Sequence, residues 1–260
     1  MIELLPPGVA VAFAAAFGAV AGSFLNVIIY RLPLGKSIVW PSSACPRCGR
    51  ELSWYENIPV ASWLWLRGRC SACKTRISAR YPLIEIATGA LFALVGWHFG
   101  SQPVALLWCL FCAALVALAG IDWDTTLLPD NITLPLLWAG LVSAALHWTI
   151  PLPEALWGAV AGYLSLWSVY WLFKLTTGKE GMGFGDFKLL AALGAWLGWK
   201  MILPIVLGAS VIGAIIGIAM KMSSSLREGR YVPFGPFLAG AGLVVVFAGP
   251  ERVLGWLNWS

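Results

Sequence analysis

The chain has 260 residues, of which 60% are hydrophobic and 11% charged, with a formal net charge of +5. Soluble domains carry roughly 25% charged residues, so this sequence cannot clothe a water-exposed surface. A soluble enzyme, a disordered chain and a small disulfide scaffold are excluded, and a polytopic membrane protein is expected.

A spanning helix needs about 20 apolar residues. Eight apolar segments follow one another at 8–30, 82–100, 103–121, 131–149, 154–175, 187–199, 201–220 and 233–256, the sixth being short for a full span. Pro6 and Pro7 precede the first, and Pro33 closes it. It lacks the basic start of a cleavable signal. Sixteen tryptophans point the same way, because Trp is enriched at membrane interfaces. His98 and His147 fall near the outer ends of helices and read as interface residues. Cys109 and Cys112, inside the third segment, read as small buried hydrophobes.

Charge sets the expected topology. Nine basic residues from Arg31 to Arg80 lie between the first and second segments, opposed there by Glu51 and Glu56. Such a loop belongs on the cytoplasmic side. Alternating the segments then places the N-terminus outside and leaves all but Lys200 and Arg252 of the 17 basic residues inside. The patch lacks a long basic helix or a stacking motif, so nucleic acid is not an expected partner.

The same loop holds two CxxC pairs, Cys45/Cys48 and Cys70/Cys73. A structural disulfide does not suit a reducing compartment. Four thiolates in two close pairs suit a tetrahedral Zn2+ site, and a small loop without a core of its own gains its stability from the metal. Gly49 and Gly68 lie where the chain must turn beside the pairs. A thiol oxidoreductase would want these cysteines on the oxidising side.

Carboxylates are the informative minority. The third segment ends in Ile-Asp122-Trp-Asp124, followed by Pro129-Asp130, and the sixth opens on Gly183-Phe-Gly185-Asp186-Phe-Lys188. Ionisable groups at membrane depth are functional candidates by default. In the expected topology both clusters sit at cytoplasmic helix ends, so two distant carboxylates can meet at one depth. Two carboxyls sharing one proton are what an aspartyl protease requires. Gly183 and Gly185 would let the backbone bend and a substrate strand approach, and a helix start favours a negative charge. Residue chemistry alone leaves proton transport and plain helix capping open, and it does not separate Asp122 from Asp124. Lys188 can pair with a carboxylate or snorkel.

The motifs GSFLNVIIYRLP (Gly22–Pro33), the paired CxxC, RYPLIE (Arg80–Glu85), Asp122 with Leu-Pro129-Asp130, GMGFGDFK (Gly181–Lys188) and PFGP (Pro233–Pro236) occur in that order. Together they resemble the bacterial type IV prepilin peptidases over nearly the whole chain. The resemblance implies a GxGD aspartyl protease of the inner membrane. It would cut the basic leader from type IV prepilins and type II secretion pseudopilins on the cytoplasmic side. It would then methylate the new N-terminal amine with S-adenosylmethionine. Carried over, the catalytic aspartates are Asp122 and Asp186, with Gly183, Gly185 and Lys188 in support, and Cys45, Cys48, Cys70 and Cys73 bind structural zinc.

The implied domains are a first transmembrane helix (1–32), a cytoplasmic four-cysteine zinc domain (33–81) and a transmembrane protease core (82–260). The fold class is thus all-α and polytopic, with about eight transmembrane helices and a small zinc domain inserted between the first two. Asn26, Arg31, Gly68, Tyr81 and Glu85 are candidates for methyl transfer or substrate contact, Glu85 having a salt bridge to Arg31 or Arg80 as its structural alternative. Asp124, Asp130 and Glu180 are candidates to receive the basic leader. The rivals are a peptidase without methyltransferase activity and an ion or proton transporter using the same carboxylates; a transporter predicts mid-membrane carboxylates and repeated halves, and no repeat is visible.

Overall fold

The computed structural model describes residues 6–179, 181–222, 232–256 and 258. Helices account for nearly all the regular structure: α1 (Pro7–Arg31), α2 (Ala61–Trp65), α3 (Arg80–Phe99), α4 (Pro103–Thr125), α5 (Asp130–Ala145), α6 (Leu152–Thr177), α7 (Phe184–Leu197), α8 (Ile202–Met222), α9 (Gly235–Ala248) and α10 (Pro250–Trp256). No strand longer than an isolated bridge occurs among the described residues. The chain divides into two compact units, 1–117 and 118–260, with the division inside α4.

In the first unit α1 lies along α3. Small residues make this approach possible. A Cβ at Gly18 would stand 2.7 Å from Phe92 Cβ, and one at Gly22 would stand 2.7 Å from Glu85 Cα. Two glycines four residues apart form one small-residue stripe, which lets apolar helices pack backbone to backbone. Between α1 and α3 the chain forms an irregular segment, 32–79, that carries the four cysteines.

In the second unit α7 is the central helix. Every residue from Leu189 to Leu197 is buried, and α5, α6 and α9 pack around it. A helix apolar on all sides belongs in an interior. Gly194 meets Gly158 of α6 backbone to backbone. Trp196 packs on Gly140 and donates through Nε1 to the Leu136 carbonyl at 2.8 Å, so the buried indole is satisfied.

Among the described residues five helices are long and apolar enough to cross a membrane: Pro7–Leu34, Arg80–Phe99, Pro103–Thr125, Leu152–Thr177 and Trp199–Met222. The pair α9 and α10, bent by 110°, makes a sixth if counted as one span. The segment expected at 131–149 forms a shorter helix of 16 residues, and the one expected at 187–199, already short in the sequence, falls in the 14-residue α7. The first stops at Ala145, before a left-handed turn at His147 (φ 60°). The second is surrounded by neighbouring helices. Hydropathy therefore finds both segments and overstates the length of the first alone.

Candidate active site and metal centre

Asp122 lies near the C-terminal end of α4, and Asp186 is the third residue of α7. Both belong to the second unit, and both are buried, at 4% and 8% exposure. Asp124, two residues on, faces outward. A helix turns about 100° per residue, so neighbours two apart point to opposite sides. Of the two, only Asp122 lies on the face of α4 that is buried.

Asp122 and Asp186 are close enough for their charges to interact. Asp122 Oδ2 accepts a 2.9 Å hydrogen bond from the backbone N–H of Gly235, the first residue of α9. Gly235 has to be glycine for space: a Cβ there would stand 2.6 Å from Asp122 Oδ2 and 3.2 Å from Leu128 Cδ1. Leu128 also fills the space beside Gly185, whose Cβ would lie 2.7 Å from Leu128 Cβ. Gly183 differs. Its backbone (φ −82°, ψ 148°) is open to any residue, and its Cβ would meet nothing nearer than Asp186 Oδ2 at 3.8 Å. The expected tight bend at Gly183 is therefore absent, and its lack of a side chain leaves open space beside Asp186.

Lys188 Nζ donates to both oxygens of Asp130, at 2.7 and 2.8 Å. Asp130 thus has a partner inside the protein, which weakens its candidacy as a receiver of basic peptide. Glu180 lies outside the described residues. Two buried carboxyls near one another can divide the work of base and acid, one accepting a proton from water while the other donates.

The four cysteines belong to the first unit. Each pair sits in a similar knuckle. Cys45 N–H bonds to the Arg50 carbonyl and Gly49 N–H to the Cys45 carbonyl; Cys70 N–H bonds to the Thr75 carbonyl and Lys74 N–H to the Cys70 carbonyl. Isolated bridges Ala44–Glu51 and Arg69–Arg76 close the two turns. The left-handed position after the second cysteine is Gly49 in one knuckle (φ 71°) and Lys74 in the other (φ 57°). Gly68 (φ 63°) instead lies under the Trp63 ring, which a Cβ would approach to 2.8 Å.

All four sulfurs lie within 4.8 Å of one another, and Cys45 Sγ is 3.8 Å from Cys73 Sγ. A tetrahedron with ~2.3 Å metal–sulfur bonds has edges of roughly 3.8 Å, so the donor set fits one zinc ion. Backbone N–H groups of Cys48 and Arg47 directed at Cys45 pull its thiol down to about 6, which favours the ligating thiolate. Glu56 joins the knuckles: it pairs with Arg50, whose Nη2 also donates to Ser71 Oγ at 2.6 Å.

The remaining candidates also lie in the first unit. Asn26 Nδ2 donates to the Gly22 and Tyr81 carbonyls at 3.2 and 3.1 Å, fastening α1 to the start of α3. Arg31 clamps the following segment by donating to the carbonyls of Ser37, Pro41 and Ser42. Glu85 is buried; its Oε2 accepts the Val60 N–H at 2.7 Å, and Ser23 also bonds to it. The residues whose roles sequence reasoning missed are Gly235 and Leu128. The Pro-Phe-Gly-Pro motif pointed to Gly235, but nothing in the chain order says that it rests on Asp122.

Two family models match the chain. The Bacterial Peptidase A24 N-terminal domain covers residues 16–99, and the Type IV leader peptidase family covers residues 109–218. The chain is 47% identical to a prepilin leader peptidase/N-methyltransferase of Stutzerimonas stutzeri, covering 94% of this chain and 92% of that one. A protein of the same name from Pseudomonas putida is 46% identical over 95% of this chain and 93% of its own. One from Aeromonas salmonicida is 45% identical, with 92% and 91% covered. No solved structure matches. The buried aspartates on α4 and α7, the four-cysteine centre and this near full-length similarity together place the chain in the type IV leader peptidase family.

Proposed function

We propose that this protein removes the leader peptide from type IV prepilins and pseudopilins by aspartyl protease chemistry and then methylates the new N-terminal amine. The observation that carries the cleavage reading is the buried, interacting pair Asp122 and Asp186. The methylation reading rests on the relatives' names.

In this reading the pair holds one proton. The ionised carboxylate takes a proton from a water positioned between the two. The other carboxyl donates to the scissile carbonyl oxygen as the water oxygen attacks the carbon. The carbon–nitrogen bond then breaks: the leaving amine takes a proton from the pair, and a hydroxyl of the tetrahedral intermediate returns one, so the pair again holds a single proton. The Gly235 N–H holds Asp122 in one orientation throughout. The open space at Gly183 admits an extended substrate strand beside Asp186. Exposed Asp124 stands where it can meet a basic leader.

The inner membrane of a bacterium is the proposed location. Five long helices, together with α5, α7 and α9, make up the eight segments assigned to the bilayer. The positive-inside bias assigns residues 32–79 and both aspartates to the cytoplasmic side. The proposed functional division remains a first helix (1–32), a zinc domain (33–81) and a protease core (82–260). Zinc bound by Cys45, Cys48, Cys70 and Cys73 has a structural role, ordering a segment that has little core of its own. S-adenosylmethionine, when bound, supplies the methyl group.

The test is mass spectrometry of a purified prepilin incubated with the detergent-solubilised protein, with and without S-adenosylmethionine. Loss of the leader, plus one methyl group when the cofactor is present, is expected. Absence of cleavage by folded, metal-loaded protein across several prepilins would remove the reading.

A further inference from the structure

The chain that leaves α1 at Arg31 does not run away from the helix. Arg31 donates to the carbonyls of Ser37, Pro41 and Ser42 and so turns the outgoing chain back. Further on, one carboxylate fixes how far back it comes. Glu85 is bonded both to Ser23 of α1 and to the N–H of Val60. Ser23 precedes Arg31 by eight residues, which is about 12 Å along the axis at 1.5 Å per residue. Val60, and α2 directly after it, thus lie well inside the end of a helix long and apolar enough to span a bilayer. The headgroup layer on each side of a bilayer is only roughly 5–8 Å thick.

We propose that the face of segment 38–66 carrying Trp54 and Trp65 is inserted at the headgroup–acyl boundary of the cytoplasmic leaflet, and that the exposed basic residues following it meet anionic phospholipid headgroups. The inference rests on the reading of α1 and α3 as bilayer-spanning.

The side chains at this level have the chemistry of a membrane interface. Trp54 and Trp65 are 80% and 88% exposed, with Tyr55 and Leu64 exposed beside them. Side chains with an apolar body and a polar tip settle at headgroup level. The exposure is built in. Trp63, between Leu64 and Ser62, turns the other way: its ring lies against Gly68, and its Nε1 donates to the Ile77 carbonyl at 3.2 Å. α2 therefore has one side held by the protein and one side left outward.

Charge favours lipid as the partner. Arg67, Arg69, Lys74 and Arg76 are exposed. Residues 32–79 carry seven basic residues against two acids, and one of those acids, Glu56, is paired with Arg50. Anionic lipids of a cytoplasmic leaflet attract such a cluster. A second protein chain would account for the exposed rings but not for the basic rim.

Irregular backbone at lipid level needs hydrogen-bond partners inside the protein. Glu85 supplies one to Val60, at 2.7 Å, and holds that β-branched residue at φ 60°. Arg31 supplies the carbonyls of the first turn. The cavity of about 710 Å³ between α1 and segment 38–59 has walls of Val20, Phe24, Val27, Ile38 and Ile58, with Trp54 at its side. At this depth an acyl chain is the filler that such walls suit.

The test uses the full, metal-loaded chain in vesicles of phosphatidylethanolamine and phosphatidylglycerol. Benzoylphenylalanine, which bonds to neighbouring C–H groups under ultraviolet light, replaces Trp54, Trp65 or Phe13 one at a time. Phe13, exposed on α1, is the reference for lipid contact. Retained zinc shows that each variant is folded, and mass spectrometry identifies the adducts. Phospholipid adducts are expected at all three positions. At position 65 phosphatidylglycerol should exceed its share of the vesicle by about two-fold or more, and Arg67→Gln with Arg69→Gln should remove that excess. Lipid adducts at 13 with none at 54 and 65 would overturn the inference and leave the bilayer reading of α1 intact. Adducts at 54 and 65 to a second protein chain in place of lipid would overturn it too. No lipid adduct at 13 would remove the bilayer reading and the inference together.

Discussion

The backbone N–H of Gly235 donates to Asp122 Oδ2 at 2.9 Å, and a methyl group on Gly235 would occupy the same space as that oxygen. A glycine 113 residues along the chain therefore sets the position of one carboxylate of the pair. Gly235→Ala should displace Asp122 or α9, at a cost of about 1–3 kcal/mol in strain. Cleavage should fall steeply while methylation of a pre-cut pilin continues. Gly183→Ala should fold with an unchanged thermal midpoint, and any loss should be in prepilin KM. Parallel thermal scans and cleavage assays separate the two glycines.

Asp122→Asn and Asp186→Asn should each lower cleavage by about 10²–10⁴-fold or more, as expected when a proton-transferring group is removed. Asp124→Asn should keep kcat and raise the KM for a prepilin with a basic leader. Initial rates measured across substrate concentration distinguish these outcomes. Equal losses at Asp122 and Asp124 would contradict the separation by helix face.

Cys45→Ser removes a ligand from a centre whose four sulfurs lie within 4.8 Å. The wild-type chain should carry one zinc by metal analysis, and the variant should lose most of it. Because the cysteines and the aspartates fold in different units, methylation should suffer more than cleavage. Equal loss of both would mean that the metal supports the whole fold.

Lys188 reaches Asp130 rather than either buried aspartate. Both side chains are partly exposed, so the pair is worth roughly 0–1 kcal/mol. Lys188→Met should move the thermal midpoint only slightly and reduce cleavage by less than about ten-fold. A loss as large as that of Asp186→Asn would show that the lysine acts on the reacting groups.

Glu56 is held below its ordinary carboxylate range by the Ser71 hydroxyl, the Ser53 backbone amide and the Arg50 guanidinium. A depressed folded-state value stabilises the protein above the unfolded value of about 4.3. That stabilisation is lost as pH falls through the folded value. Glu56→Gln should therefore be less stable than wild type near neutrality, and the gap between their thermal midpoints should close in acid. A gap that stays constant with pH would rule out the charge as its source.

Much of this protein is legible in its sequence because the relevant signals are local. Runs of apolar residues announce helices in a membrane, where no other segment satisfies its own backbone. Two CxxC pairs announce a four-cysteine cluster that could hold a metal, because the spacing lies within each knuckle. The ordered motifs around Asp122 and Asp186 resemble one peptidase family, and the near full-length relatives agree. What stays hidden depends on contacts between distant residues. Hydropathy shows that the sixth segment is short, but not that other helices enclose α7 or that α4 turns Asp122 inward and Asp124 outward. Arg31 and Asn26 read as candidates for chemistry, yet their hydrogen bonds hold backbone carbonyls. The support of Asp122 by Gly235, and the meeting of Glu85 with Val60, exist only once the helices have packed. Composition and spacing determine which elements form; side-chain volume at their crossings decides which residues meet.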